Sequence, residues 1–107
     1  MMNFYKFEIL IFIVILHYVQ PLATSETRIE EHRRFLDRHY AADRFLASGP
    51  QVPRTGGGIL VKGLNREELN DVLAEDPFYR ERVANYQVIE FNPTKFGVGV
   101  EVIFTKS

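Results

Sequence analysis

His32 and Asp76 are the two ionisable residues that fall where an apolar surface is expected. His32 comes one turn after Ile29 and one turn before Leu36 in a helical pattern, and Asp76 stands before Pro77 and Phe78 where two helical segments meet. An ionisable group beside an apolar stripe is costly unless it finds a partner. If both segments pack on one side of a sheet, these two side chains can meet. A carboxylate bonded to an imidazole orients the ring and suits it to moving a proton near neutral pH. Ser48, at the end of a predicted strand, could donate a hydrogen bond to a substrate oxygen, with nearby glycine amides holding developing negative charge. Each has a structural alternative: helix histidines are often satisfied core groups, aspartates before proline often only cap, and a serine can simply end a strand.

No nucleophile elbow or Ser-His-Asp order is present, so covalent catalysis is not expected. Arg54 belongs to a glycine-containing loop over residues 52–58 and either attracts an anionic substrate or stands in solvent. His17 could face the same pocket from the end of the first strand, whereas His39 is expected on the outer part of its helix. No His-x-x-x-His or His-Glu-x-x-His pattern occurs, and no metal is expected. The glycines lack the lysine and spacing of a P-loop, and no nicotinamide, flavin or nucleotide fingerprint is present, so no cofactor is expected.

The element that must position these residues is the run at 9–16, eight apolar residues followed by His17, Tyr18 and Val19. In a strand, Ile11, Ile13 and Ile15 point to one face and Phe12, Val14 and Leu16 to the other, so both faces need cover. The run is too short for a membrane-spanning helix. Its Lys6, apolar core and Ala23-Thr24-Ser25 offer the outline of a secretory signal over residues 1–25. Glu8 and the Ile/Val bias favour a buried first strand instead.

A chain of 107 residues makes one domain. At 46% apolar and 25% charged it reads as globular. Its net charge of −1 gives no footprint for nucleic acid or an anionic membrane, and the arginines at 28, 33, 34 and 38 are interleaved with Glu30, Glu31 and Asp37. The absence of cysteine removes disulfides and thiolate chemistry and is compatible with the cytosol, the expected location unless residues 1–25 direct export.

Pro21 ends the first strand. Thr27-Arg-Ile-Glu30 has capping-box spacing, predicting a helix to about Ala42, with Ile29, Leu36 and Tyr40 on its inner face. Residues 45–50 read as a second strand and residues 59–62 as a third. Asn65 caps a helix with Leu69, Val72 and Leu73 buried. Asp76 ends it and caps a short helix to about Ala84. Residues 86–91 alternate as a fourth strand, and residues 100–104 read as a fifth. Right-handed crossovers on this order give an antiparallel, ferredoxin-like βαββαβ fold of the α+β class with both helices on one face. The other face is left for a second copy, a homodimer through the sheet.

The segments Phe12-Ile-Val-Ile15, His32-Arg-Arg-Phe-Leu36, Phe45-Leu-Ala-Ser-Gly-Pro50, Pro53-Arg-Thr-Gly-Gly57, Asp76-Pro-Phe78 and Ile89-Glu-Phe-Asn-Pro-Thr-Lys95 together resemble the YciI-like (YCII-related) family of the dimeric α/β-barrel superfamily. They span about residues 11–96, so residues 1–10 form an N-terminal extension and residues 11–107 the domain. The resemblance implies a ferredoxin-like protomer dimerising through its sheet. It also implies a pocket in which His32, Asp76 and Ser48 take the positions of the family's histidine, aspartate and pre-Gly-Pro residue, with Gly49 and Pro50 beside them. A related dehydrochlorinase implies that the scaffold can host lyase chemistry. The expected function is a small cofactor-independent lyase or isomerase acting on a small, cyclic or aromatic metabolite. The alternatives are a binding module using the same pocket and a dimeric accessory protein whose polar groups only cap helices.

Overall fold

The computed structural model describes residues 9–21 and 26–105; the first eight residues and Ala23-Thr24-Ser25, on which the signal reading leaned, lie outside them. The elements are β1 (Ile11–Tyr18), α1 (Glu26–Ala41), β2 (Phe45–Pro50), β3 (Gly56–Lys62), α2 (Arg66–Leu73), α3 (Pro77–Arg80), β4 (Ala84–Phe91) and α4 (Glu101–Thr105). The four strands form one antiparallel sheet in the order β2-β3-β1-β4. This is the ferredoxin-like α+β topology.

The apolar run is central because both its edges are paired and its helix-facing side is buried. β1 pairs with β3 on one side and β4 on the other, and Val14 lies between Ile59 and Val88. Phe12, Val14 and Leu16 face the helices and are buried with Phe35, Val61, Leu69, Phe78 and Val83. On the opposite face Ile13 and Ile15 are half-buried beside Leu60, Ile89 and Phe91, which are exposed.

Local signals explain the helix boundaries. Asn65 closes a full capping box: its side chain accepts from the Glu68 amide while the Glu68 carboxylate accepts from the Asn65 amide. α1 starts at Glu26, which places Thr27 inside the first turn rather than at the cap. Its innermost residues are Phe35 and His39, while Ile29 and Leu36 are half-buried and Tyr40 is exposed. α3 stops at Arg80, four residues short of the expected end, because Arg82 turns into the left-handed region at φ 56° and β4 begins at Ala84.

Two further expectations are corrected. Gly56, Gly57 and Gly58 are part of β3, not of the loop before it, and lie in the ladder between β1 and β2. A β-carbon at Gly56 would run into the Leu16 carbonyl, so the close approach of β3 to β1 requires glycine there. The predicted fifth strand at residues 100–104 is instead helix α4. Val100, just before α4, and Phe104, within it, are one helical turn apart as well as alternating, and both are half-buried, with the Phe104 ring 6.0 Å from Phe96. Lys62 ties this tail to the sheet by donating to the Ile103 carbonyl at 3.1 Å and to Asp43 at 3.0 Å. Among the described residues, no helix is long and apolar enough to cross a membrane.

Candidate active site

Asp76 is fully buried at the α2–α3 junction, and its carboxylate is met by three donors from three elements. The Phe78 amide donates to Oδ1 at 3.0 Å, which makes Asp76 the N-cap of α3. His32 Nδ1, from the middle of α1, lies 2.8 Å from the same oxygen. The Tyr86 hydroxyl, from β4, donates to Oδ2. The capping role and the histidine contact, alternatives in sequence, are therefore the same carboxylate at work. Pro77 starts α3 and Phe78 follows it, placing the Phe78 ring parallel to the His32 imidazole at 4.2 Å. The tripeptide Asp76-Pro-Phe78 thus fixes the histidine by hydrogen bond at its edge and by stacking on its face.

A carboxylate only accepts hydrogen bonds, so the neutral His32 ring carries its hydrogen on Nδ1. Nε2 then keeps a free lone pair, and among the described residues it has no hydrogen-bond partner. The ring borders a cleft of about 240 Å³, bounded by Leu16, Ile29, Leu36, Ile59 and Phe78 and by Ser48, Gly49 and Pro50. The polar edge of the cleft adds Arg33 and Arg54. Ser48 Oγ is 2.7 Å from the Tyr40 hydroxyl; with Tyr40 as donor, Ser48 can donate to a bound molecule. Gly57 and Gly58 also line the cleft, but their backbone is engaged in strand pairing and offers no free amide cradle.

Burial and the adjacent Asp76 carboxylate hold the Tyr86 phenol far above the ordinary tyrosine range. The folded-state pKa is raised, so its stabilising contribution is complete below the unfolded value near 10 and is lost as pH rises beyond it. Wild-type stability to urea is accordingly expected to fall more steeply between pH 9 and 11 than that of Tyr86→Phe. Equal slopes would remove the coupling.

The structure brings His32, Ser48, Gly49, Pro50 and Arg54 to one cleft, with Asp76 buried behind His32, and it corrects the other two histidines. His17 is exposed on the opposite face of the sheet, because Leu16 and Tyr18 on either side of it point into the cleft. His39 is not on the outer part of α1 but buried, 3% exposed, against Phe35 and Phe45. Its Nε2 lies 2.9 Å from Glu75, and Arg44 donates to its Nδ1 at 3.3 Å. Partial burial raises the Glu75 pKa, but the hydrogen bond from His39 and the Arg38 guanidinium outweigh this and hold it below the ordinary range. Adjacent carboxylates at 75 and 76 thus each hold a histidine of α1.

Tyr86 and Arg33 are the site residues that sequence reasoning missed. Ala84, Tyr86 and Val88 alternate onto the helix-facing side of β4, and a tyrosine pointing inward needs a partner for its hydroxyl. Arg33 sits among acidic neighbours in the sequence, and only the packing of α1 places it on the cleft.

No curated protein matches the chain. Among solved structures it is similar to 5-chloro-2-hydroxyhydroquinone dehydrochlorinase (TftG) from Burkholderia phenoliruptrix AC1100, in complex with 2,5-dihydroxybenzoquinone. The TM-score is 0.62 at 17% identity, covering 81% of this chain and 95% of that one, a likeness of fold. The YCII-related domain model matches residues 11–92, which hold all four strands and helices α1 to α3, and the chain belongs to that family.

Proposed function

We propose that the protein is a small cofactor-independent lyase or isomerase in which His32 Nε2 is the general base. The observation that carries this is the Tyr86–Asp76–His32 chain, which fixes the ring and leaves one nitrogen free beside a cleft. In the proposed step Nε2 takes a proton from a carbon next to a carbonyl, and the freed electron pair forms a new double bond. A leaving group on the neighbouring carbon then departs with its own electron pair, giving elimination; return of the proton at another carbon gives isomerisation. Ser48 positions a substrate oxygen, and Asp76 orients the ring and balances the imidazolium. At about 240 Å³ the cleft holds about eight waters' worth of liquid volume, the scale of one substituted ring. The dehydrochlorinase of similar fold, in complex with the ring compound 2,5-dihydroxybenzoquinone, supports this choice of substrate size.

A screen of small cyclic hydroxy and oxo compounds for turnover, with His32→Gln as control, tests the reading. A substrate turned over equally by both proteins would contradict the base.

We also propose that a second copy covers the open sheet face, where Ile13, Ile15, Leu60, Ile89 and Phe91 form an apolar patch. Light scattering at micromolar concentration is expected to give twice the 12.5 kDa chain mass; the mass of a monomer would remove the dimer.

A further inference from the structure

The lining of the cleft is unbalanced in charge. It includes Arg33 from α1 and Arg54 from the β2–β3 loop, and it contains no aspartate or glutamate, although the chain as a whole has a net charge of −1. Arg28, Arg38, Arg66 and Arg80 each pair with a glutamate. Among the described residues, Arg33 and Arg54 have no ion-pair or hydrogen-bond partner, so both guanidinium groups remain available at the mouth of the same cleft. Much of the remaining lining is apolar, formed by Leu16, Ile29, Leu36, Ile59 and Phe78.

We propose that the cleft takes a small ring carboxylic acid, its ring against the apolar wall and its carboxylate held by Arg33 and Arg54. A carboxylate suits the planar fork of a guanidinium, and the volume of the cleft leaves room for a single ring. The assignment rests on the cleft being the substrate site, and it names the substrate class that the proton-transfer reading left open. Both arginines are exposed, so their attraction is screened by salt.

The test is calorimetric titration of the full chain with 2,5-dihydroxybenzoate, with hydroquinone as the ring lacking the charge and with acetate as the charge lacking the ring. The acid is expected to bind on the order of tenfold more tightly than either control, and more weakly as salt rises. Arg33→Gln and Arg54→Gln are each expected to weaken the acid several-fold, on the order of one charge-assisted hydrogen bond, and to leave hydroquinone unchanged. Arg34→Gln, which removes the same charge outside the cleft, is expected to have no effect. Equal binding of acid and hydroquinone, binding of none of the three, or unchanged acid affinity in both cleft variants would overturn the assignment. The assay reads binding alone, so failure of the His32 chemistry would appear as absent turnover with these affinities intact.

Discussion

Replacing His32 with Gln is expected to lower turnover by about 10²–10⁴-fold while leaving ligand affinity within a few-fold of wild type. Glutamine retains an amide that can donate to Asp76, and it can still pack on Phe78, so the cleft keeps its wall. It has no nitrogen that can accept a proton at neutral pH, so what is lost is the transfer itself. The split between kcat and KM is the diagnostic. A fall in affinity with unchanged kcat would make His32 a binding group and favour a module without turnover.

The second large effect concerns stability. Asp76→Ala is expected to destabilise the fold by about 3–5 kcal/mol, because each donor left without its acceptor costs about 1–3 kcal/mol. Three donors lose their acceptor at once: the Phe78 amide, the His32 ring and the Tyr86 hydroxyl. For a domain of this size that corresponds to a Tm lower by more than about 10 °C. Asp76→Asn can retain its Oδ1 acceptor for the Phe78 amide and the His32 ring while presenting an amide to the Tyr86 hydroxyl, and an intermediate loss of about 1–3 kcal/mol is expected. Urea denaturation of both variants checks the order. An Asp76→Ala protein within about 1 kcal/mol of wild type would mean that the carboxylate is not the hub described here.

What was legible in the sequence was the part dictated by local chemistry. Residues 45–50 run from Phe45 to a Gly-Pro break, and they form β2 as expected. Asn65 and Glu68 make their box because each satisfies an amide that the first turn leaves open. His32 and Asp76 stood out as polar groups on apolar ground, and they meet at 2.8 Å. What stayed hidden depended on packing between distant segments. Gly56 looked like loop punctuation until β3 was seen to approach the Leu16 carbonyl. The tail at residues 100–104 fits both a two-residue and a helical spacing, and only its contacts with Phe96 and Lys62 separate them. His39 was placed outward although it lies two turns from His32, on nearly the same side of the helix. That spacing was available in the sequence. The partnership of Tyr86 needed the pairing of β4 beside β1, which brings it opposite Leu16 at the cleft floor.

The geometry makes α1 carry two histidines in opposite tautomers. His32 gives its Nδ1 hydrogen to Asp76, whereas His39 accepts from Arg44 at Nδ1 and gives its Nε2 hydrogen to Glu75. Long-range proton–nitrogen NMR on the imidazoles, assigned with His32→Gln and recorded where the rings are neutral, reads this directly. His32 is expected to show a protonated, pyrrole-type Nδ1 and a bare, pyridine-type Nε2, with the reverse in His39. A His32 ring that carries its hydrogen on Nε2 would have no lone pair facing the cleft, and the proposed base would be contradicted.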